Sequence, residues 1–200
     1  MRKSFIRKRK KIYHCANTEL IRGGEPFFTR LLQLIKNAKN CIHIQVYIFG
    51  DDETGHTIAE ALIEACRRGV QVYLLVDGYA SSLPKEFIQQ LTNAGIHFRF
   101  FEPVFRSRHF YFGRRLHHKV IVIDESIALV GGLNLADRYN DTDQEKAWMD
   151  MALQVDGGAA MELQQVCNEL WKKKIYIPFT RKKTGQQITE ASAKENDCLV

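Results

Sequence analysis

Apolar positions follow two rhythms along this chain, one helical and one extended. Phe27, Phe28, Leu31, Leu32, Ile35 and Ala38 recur at the spacing of one helix face. "CIHIQVYIF" (41–49) is then almost unbroken in its apolar and β-branched content, as a strand buried on both faces requires. Ile58, Ala61, Leu62, Ala65 and Cys66 restore the helical period, and Gly69 stands where a helix stops. "VQVYLLVD" (70–77) predicts a second strand. A helix from Pro84 carries Phe87, Ile88 and Leu91 and ends at Gly95, and "IHFRFF" (96–101) predicts a third strand. Segment 102–115 mixes arginines with aromatics and has neither period. Two short strands follow, near 118–123 and 127–131, joined by a turn at Asp124-Glu125-Ser126. After the polar stretch 136–146 come the strand "WMDMALQVD" and a helix with Ala160, Leu163, Val166, Cys167, Leu170 and Trp171 on one face. Strands alternating with helices over short links predict an α/β fold, with right-handed crossovers, a mixed, mostly parallel sheet and helices on both of its faces.

Charge changes this picture at the ends. Residues 2–11 hold seven basic side chains and no acid, so the net +6 is a basic arm on a nearly neutral body. Such an arm favours an anionic surface, whether lipid or nucleic acid, with a solvated, disordered terminus as the equal alternative. The 200 residues suffice for one ordinary core. The five cysteines lack CxxC pairing, which points to a reducing compartment and away from a zinc site. No apolar run nears the roughly 18 residues a membrane span needs, so any membrane contact is expected to be peripheral. The charged N-terminus has no apolar stretch behind it and does not read as a secretory signal.

The chemistry concentrates in "LHHKVIVIDESIALVGGLN" (116–134). On an extended strand His117 and Lys119 share a face and stand roughly 7 Å apart, while His118 points the other way. That spacing lets an imidazole attack a phosphorus while an ammonium holds a non-bridging oxygen. Asp124 has the opposite parity and lies at a turn, so strand geometry alone does not bring it to the phosphate. Gly131 and Gly132 let backbone approach closely, and Asn134 offers an amide to a phosphate oxygen. His118 reads as structural.

His117-x-Lys119-x₄-Asp124-x₆-Gly131-Gly132-x-Asn134 resembles the HxKx₄Dx₆G(G/S)xN signature of the phospholipase D superfamily. Six specified positions at about 5% each coincide by accident at roughly 10⁻⁸ per starting point. The stretch from "GEPFF" to "VDGYAS", with "GIHFRFFEP" and "WMDMALQVDG", is similar to the N-terminal half of bacterial cardiolipin synthases over about residues 13–176. The resemblance implies a phospholipase D-like α/β/α sandwich and phosphatidyl transfer through a phosphohistidine, with phosphatidylglycerol converted to cardiolipin and glycerol. It implies no metal and no cofactor. His117, Lys119 and Asp124 enter as the catalytic set, Lys119 and Asn134 as phosphate ligands, and Gly131, Gly132 and Asp150 as support. Asp150 stands where the family has a carboxylate that orients the histidine, and an exposed strand acid is the equal alternative.

Members of the superfamily use two HxK motifs, one histidine attacking while the other protonates the leaving alcohol. Here there is one. Either a homodimer supplies the second, or the chain is the front half of a two-motif protein. The second option divides the chain into a basic arm (1–12), the domain (13–176) and a linker (177–200) toward a missing half. Phe105, Arg106, Arg108, Phe110, Tyr111, Phe112, Arg114 and Arg115 suit contact with anionic phospholipids such as phosphatidylglycerol and cardiolipin, with edge packing as the plainer alternative. The expectation is a peripheral protein on the cytoplasmic side of a bacterial cell membrane, with no nucleic-acid partner. The alternatives are a homodimeric metal-independent phosphodiesterase or nuclease, and a non-catalytic fragment that binds anionic membranes.

Overall fold

The computed structural model describes residues 15–102, 115–142 and 145–173. The elements run β1 (Cys15–Arg22), α1 (Glu25–Asn37), β2 (Cys41–Val46), α2 (Glu53–Arg67), β3 (Gln71–Asp77), α3 (Lys85–Asn93) and β4 (His97–Phe101). They continue with β5 (Val120–Ile123), β6 (Ile127–Gly131), a short 3-10 turn at Asp137–Tyr139, β7 (Met151–Gly157) and α4 (Gly158–Lys172). The expected basic arm and linker lie outside the described residues.

One seven-stranded sheet has the order β1-β7-β6-β5-β2-β3-β4. The helical crossovers give the expected parallel pairs, β2 with β3 and β3 with β4. Every other neighbouring pair is antiparallel, so the sheet is mixed, as expected, but antiparallel pairs and not parallel ones predominate. The reason is local: a three-residue turn joins β5 to β6, and a parallel return needs a crossover of a dozen or more residues. Asp124 and Glu125 make that turn with φ of 49° and 57°.

Strand parity divides the core. Ile42, Ile44, Val46, Val72, Leu74, Val76, Ile121 and Ile123 face α1, α2 and α3, where Leu31, Ile35, Ile58, Leu62 and Leu91 complete the main cluster. Val120, Val122, Ala128 and Val155 point the other way, against Ala160 and Cys167 of α4. Helices therefore cover both faces, as the alternation required. In α4, however, Gln164 is buried and Val166 is 44% exposed, the reverse of their hydropathy.

Two elements differ from expectation. β1 escapes a periodicity reading because Ile21 is its only buried residue; the strand exists by pairing with β7. β7 begins at Met151, which leaves Trp148, Met149 and Asp150 in the preceding loop.

Candidate active site at the carboxyl edge of the sheet

β2, β3, β4 and β6 end, and β5 and β7 begin, along one edge of the sheet. The carboxyl ends of strands in open α/β sheets are where loops converge and ligands bind. His117 and Lys119 lie there, just before β5. The chain entering the motif is anchored by Asp77 at the end of β3. This fully buried carboxylate accepts N–H groups from Tyr79 (2.9 Å) and Ala80 (3.1 Å) through one oxygen, and from Leu116 (2.8 Å) through the other.

The His117 ring is exposed to solvent and meets Tyr47 at a centroid distance of 5.1 Å and a 43° tilt. Lys119 Nζ stands 5.5 Å from the centroid of the same phenol ring and donates to the His117 carbonyl at 2.8 Å. One aromatic ring thus touches both members of the pair. Tyr47 is held in turn: its carbonyl accepts from Ser81 Oγ at 3.1 Å, and the next N–H, of Ile48, donates to Asn134 Oδ1 at 2.9 Å. Burial pulls the Lys119 ammonium below its ordinary pKa, and the negative charge of Asp150 offsets part of that fall.

The glycine pair explains how Asp150 comes so near. A Cβ on Gly132 would lie 2.3 and 2.4 Å from the two carboxylate oxygens of Asp150, and one on Gly131 would lie 2.3 Å from the Met151 carbonyl. Both positions must stay bare for β7 and its leading loop to pack against β6. The Asp150 backbone is fixed from the other side by the Gly23 N–H, at 2.9 Å. Asp150 therefore lies in the loop before β7 within electrostatic reach of Lys119, with its Oδ1 accepting the Met151 N–H at 2.7 Å.

Asn134 is 2% exposed and its Oδ1 accepts the Ile48 N–H, which leaves Nδ2 as its other polar atom. Asp124 stands at the opposite end of β5 from Lys119, where its oxygens accept the N–H groups of Lys39 (2.8 Å), Asn40 (2.7 Å) and Cys41 (2.9 Å). The four residues of β5 separate it from His117 and Lys119, and its contacts are with the link between α1 and β2. His118 turns to the α4 face, where its Nε2 meets Gln45 Oε1 at 2.8 Å.

Phe105, Arg106, Arg108, Phe110, Tyr111, Phe112 and Arg114 lie outside the described residues. Arg115 packs its guanidinium 4.6 Å over the ring of Tyr79, which is 60% exposed on the same edge. Tyr47 and Asp77 are the residues beside the motif that the sequence reading missed, since Tyr47 falls within, and Asp77 ends, a run that looks like uninterrupted core strand. The available signal was a phenol and a carboxylate each placed at a strand's carboxyl end. Among the described residues no cluster of three or more His, Cys, Asp or Glu side chains is placed to hold a metal ion, and no helix is long and apolar enough to cross a membrane.

Comparison with known proteins bears on this arrangement. Residues 31–171 match the family described as "Cardiolipin synthase, PLD-like domain". Cardiolipin synthase 1 of Bacillus anthracis is 37% identical over 157 residues, covering 77% of this chain and 31% of that protein. The chain spans about a third of the length of the curated relatives it matches. Among solved structures, phosphatidylserine synthase of Haemophilus influenzae superposes with a TM-score of 0.63 at 20% identity, over 78% of this chain and 38% of that one. Nuc of Salmonella typhimurium, a phospholipase D family member, superposes with a TM-score of 0.57 at 21% identity, over 78% of this chain and 95% of that one. At these identities the two structures speak for the fold alone.

Proposed function

This chain belongs to the family of phospholipase D-like domains of cardiolipin synthases, and on that premise we propose that it supplies one half of a phosphatidyl-transfer centre. The observation that carries the reading is the exposed His117 imidazole beside the Lys119 ammonium, with Asp150 balancing the lysine's charge.

In the proposed reaction an imidazole nitrogen of His117 attacks the phosphorus of a phosphatidylglycerol diester. The bond from phosphorus to the glycerol headgroup oxygen breaks, and glycerol leaves with a proton from a histidine of a second HxK motif. Lys119, with Asn134 Nδ2, holds the non-bridging oxygens as charge builds on them. The phosphohistidine is then attacked by the hydroxyl of another phosphatidylglycerol. The second histidine takes that hydroxyl's proton, and His117 departs from phosphorus as cardiolipin forms. No metal enters this scheme, because the fixed charge of Lys119 serves the phosphoryl oxygens.

The second motif comes, in this proposal, from a C-terminal half reached through residues 177–200. The work takes place on the cytoplasmic face of a bacterial membrane, with residues 1–12 and the basic-aromatic segment 102–115 against anionic lipid. A homodimer acting as a phosphodiesterase is the second reading, favoured by the single HxK motif in the sequence, which a second copy would complete.

The test mixes the chain, with and without a polypeptide carrying a second HxK motif, with phosphatidylglycerol vesicles. Lipids are analysed for cardiolipin and the protein for a phosphatidyl adduct. Cardiolipin that requires the second motif, with an adduct that disappears in His117→Asn, is the expected result. Equal product from His117→Asn overturns the proposal. Metal-independent cleavage of DNA by the chain alone, without lipid product, puts the second reading in its place.

A further inference from the structure

His117 is flanked by two anchors of different kinds. On one side the Leu116 N–H is held by Asp77; on the other the His118 ring reaches back through the sheet. Its Nε2 lies 2.8 Å from Gln45 Oε1, and Gln45 Nε2 donates to the Cys167 carbonyl of α4 at 2.9 Å. Gln45 is 1% exposed, in the middle of the sheet, and it pairs with Val120 in the ladder between β2 and β5. The chain of contacts assigns its own protons. A carbonyl can only accept, so the Gln45 atom facing Cys167 is the NH₂ and the atom facing His118 is the oxygen. His118 must therefore carry hydrogen on Nε2. A flipped amide would set Gln45 Oε1 against the Cys167 carbonyl, two acceptors with no hydrogen between them, and forfeit the buried bond to α4, at a cost on the order of 1–3 kcal/mol.

Helix α4 lies on the face of the sheet opposite the one His117 and Lys119 share, yet it ends up two hydrogen bonds from the residue between them. We infer that His118 is a positioning residue, locked in its Nε2–H form by Gln45 and through it to α4, and that this lock sets how His117 and Lys119 leave the strand. The inference rests on the reading of His117 and Lys119 as the reacting pair, but its geometry stands without it. Burial and the neighbouring Lys119 charge both hold the His118 ring neutral, which suits a residue that orients and does not exchange protons with substrate.

The test uses ring-nitrogen NMR spectra of the full chain. One histidine, identified by its loss in His118→Gln, is expected to carry its proton on Nε2 with slowed exchange. In Gln45→Leu that signal should show mixed tautomers and fast exchange. His118→Leu should shift the His117 ring resonances, whereas His118→Gln, which keeps an N–H donor, should leave them near wild type. Where the chain with its second motif turns over a phosphodiester, His118→Leu should lower kcat by about 10²-fold with little change in KM, and His118→Gln should recover most of it. An Nδ1–H tautomer in the wild type, or His117 resonances unmoved by His118→Leu, overturns the inference. A wild type without turnover sinks the proposed function alone, because the spectra still decide the role of His118.

Discussion

At the scale of single residues, the site is an imidazole and an ammonium sharing one phenol ring. Tyr47 offers its face to Lys119 and lies tilted against the His117 ring, and the cation–π contact is worth about 0.5–2 kcal/mol in ordering the ammonium. Tyr47→Phe keeps the ring and is expected to hold kcat within about threefold, since an effect of that size is well under 1 kcal/mol. Tyr47→Leu removes the π face and should lower kcat roughly tenfold, as a loss near 1.4 kcal/mol does. Steady-state kinetics of the two variants distinguishes ring from hydroxyl. Asp150 acts on the same ammonium through charge. Removing that charge in Asp150→Asn leaves burial unopposed, so the Lys119 pKa falls further. The alkaline limb of the pH–rate profile should then move to lower pH, and an unmoved limb would separate Asp150 from Lys119.

At the scale of elements, the loop from Gly132 to Asp150 is held where helices begin. Asp137 accepts the Thr54 N–H at the start of α2 at 2.8 Å, and Asp141 accepts the Glu25 N–H at the start of α1 at 3.1 Å. Carboxylates at helix N-termini meet both unpaired N–H groups and the positive end of the dipole. Asp124 performs a related service at the far edge, gathering three N–H groups where α1 gives way to β2. Asp124→Ala removes the acceptor of these N–H groups, of which the Cys41 one is part-buried, and is expected to cost about 1–2 kcal/mol in urea unfolding. The His117 ring resonances of the folded protein should stay in place. A catalytic aspartate would give the opposite result, with stability kept and turnover lost.

At the scale of the whole molecule, burial has a pH signature. His43 is 3% exposed under α4 and stacks on Tyr73 at 4.4 Å, which stacks on His97 at 4.8 Å, three residues in register across β2, β3 and β4. Burial pushes the His43 pKa from 6.5 to about 4. Between those values the unfolded chain binds a proton that the native protein refuses, so stability rises with pH across the window and is lost as pH falls through it. The full effect is on the order of 3 kcal/mol, at 1.36 kcal/mol per pKa unit. Urea midpoints measured from pH 7 to pH 4 should fall, and His43→Phe should flatten that slope. A slope unchanged in the variant would assign the pH dependence to other groups.

Much of this protein was legible in one dimension because its determinants are local. The 3.6-residue period of α1 and α2, the unbroken apolar runs of β2 and β3, and the spacing of His117 to Lys119 are all set by residues a few positions apart, and periodicity reads such intervals directly. The motif also carried Asp150, Gly131 and Gly132 toward the site by resemblance. Other features depend on partners far along the chain. β1 is a strand only because β7 lies beside it, and β5 and β6 pair antiparallel because their turn is too short for any other return. Asp124 belongs to the site by spacing and to the α1–β2 link by contact, since a strand of four residues carries its ends apart. Tyr47, Asp77 and Gln45 looked like core strand because hydropathy records whether a side chain is buried and not what it touches. Only the folded chain, which sets Gln45 between His118 and Cys167, Asp77 against Leu116 and Tyr47 against His117, decides those contacts.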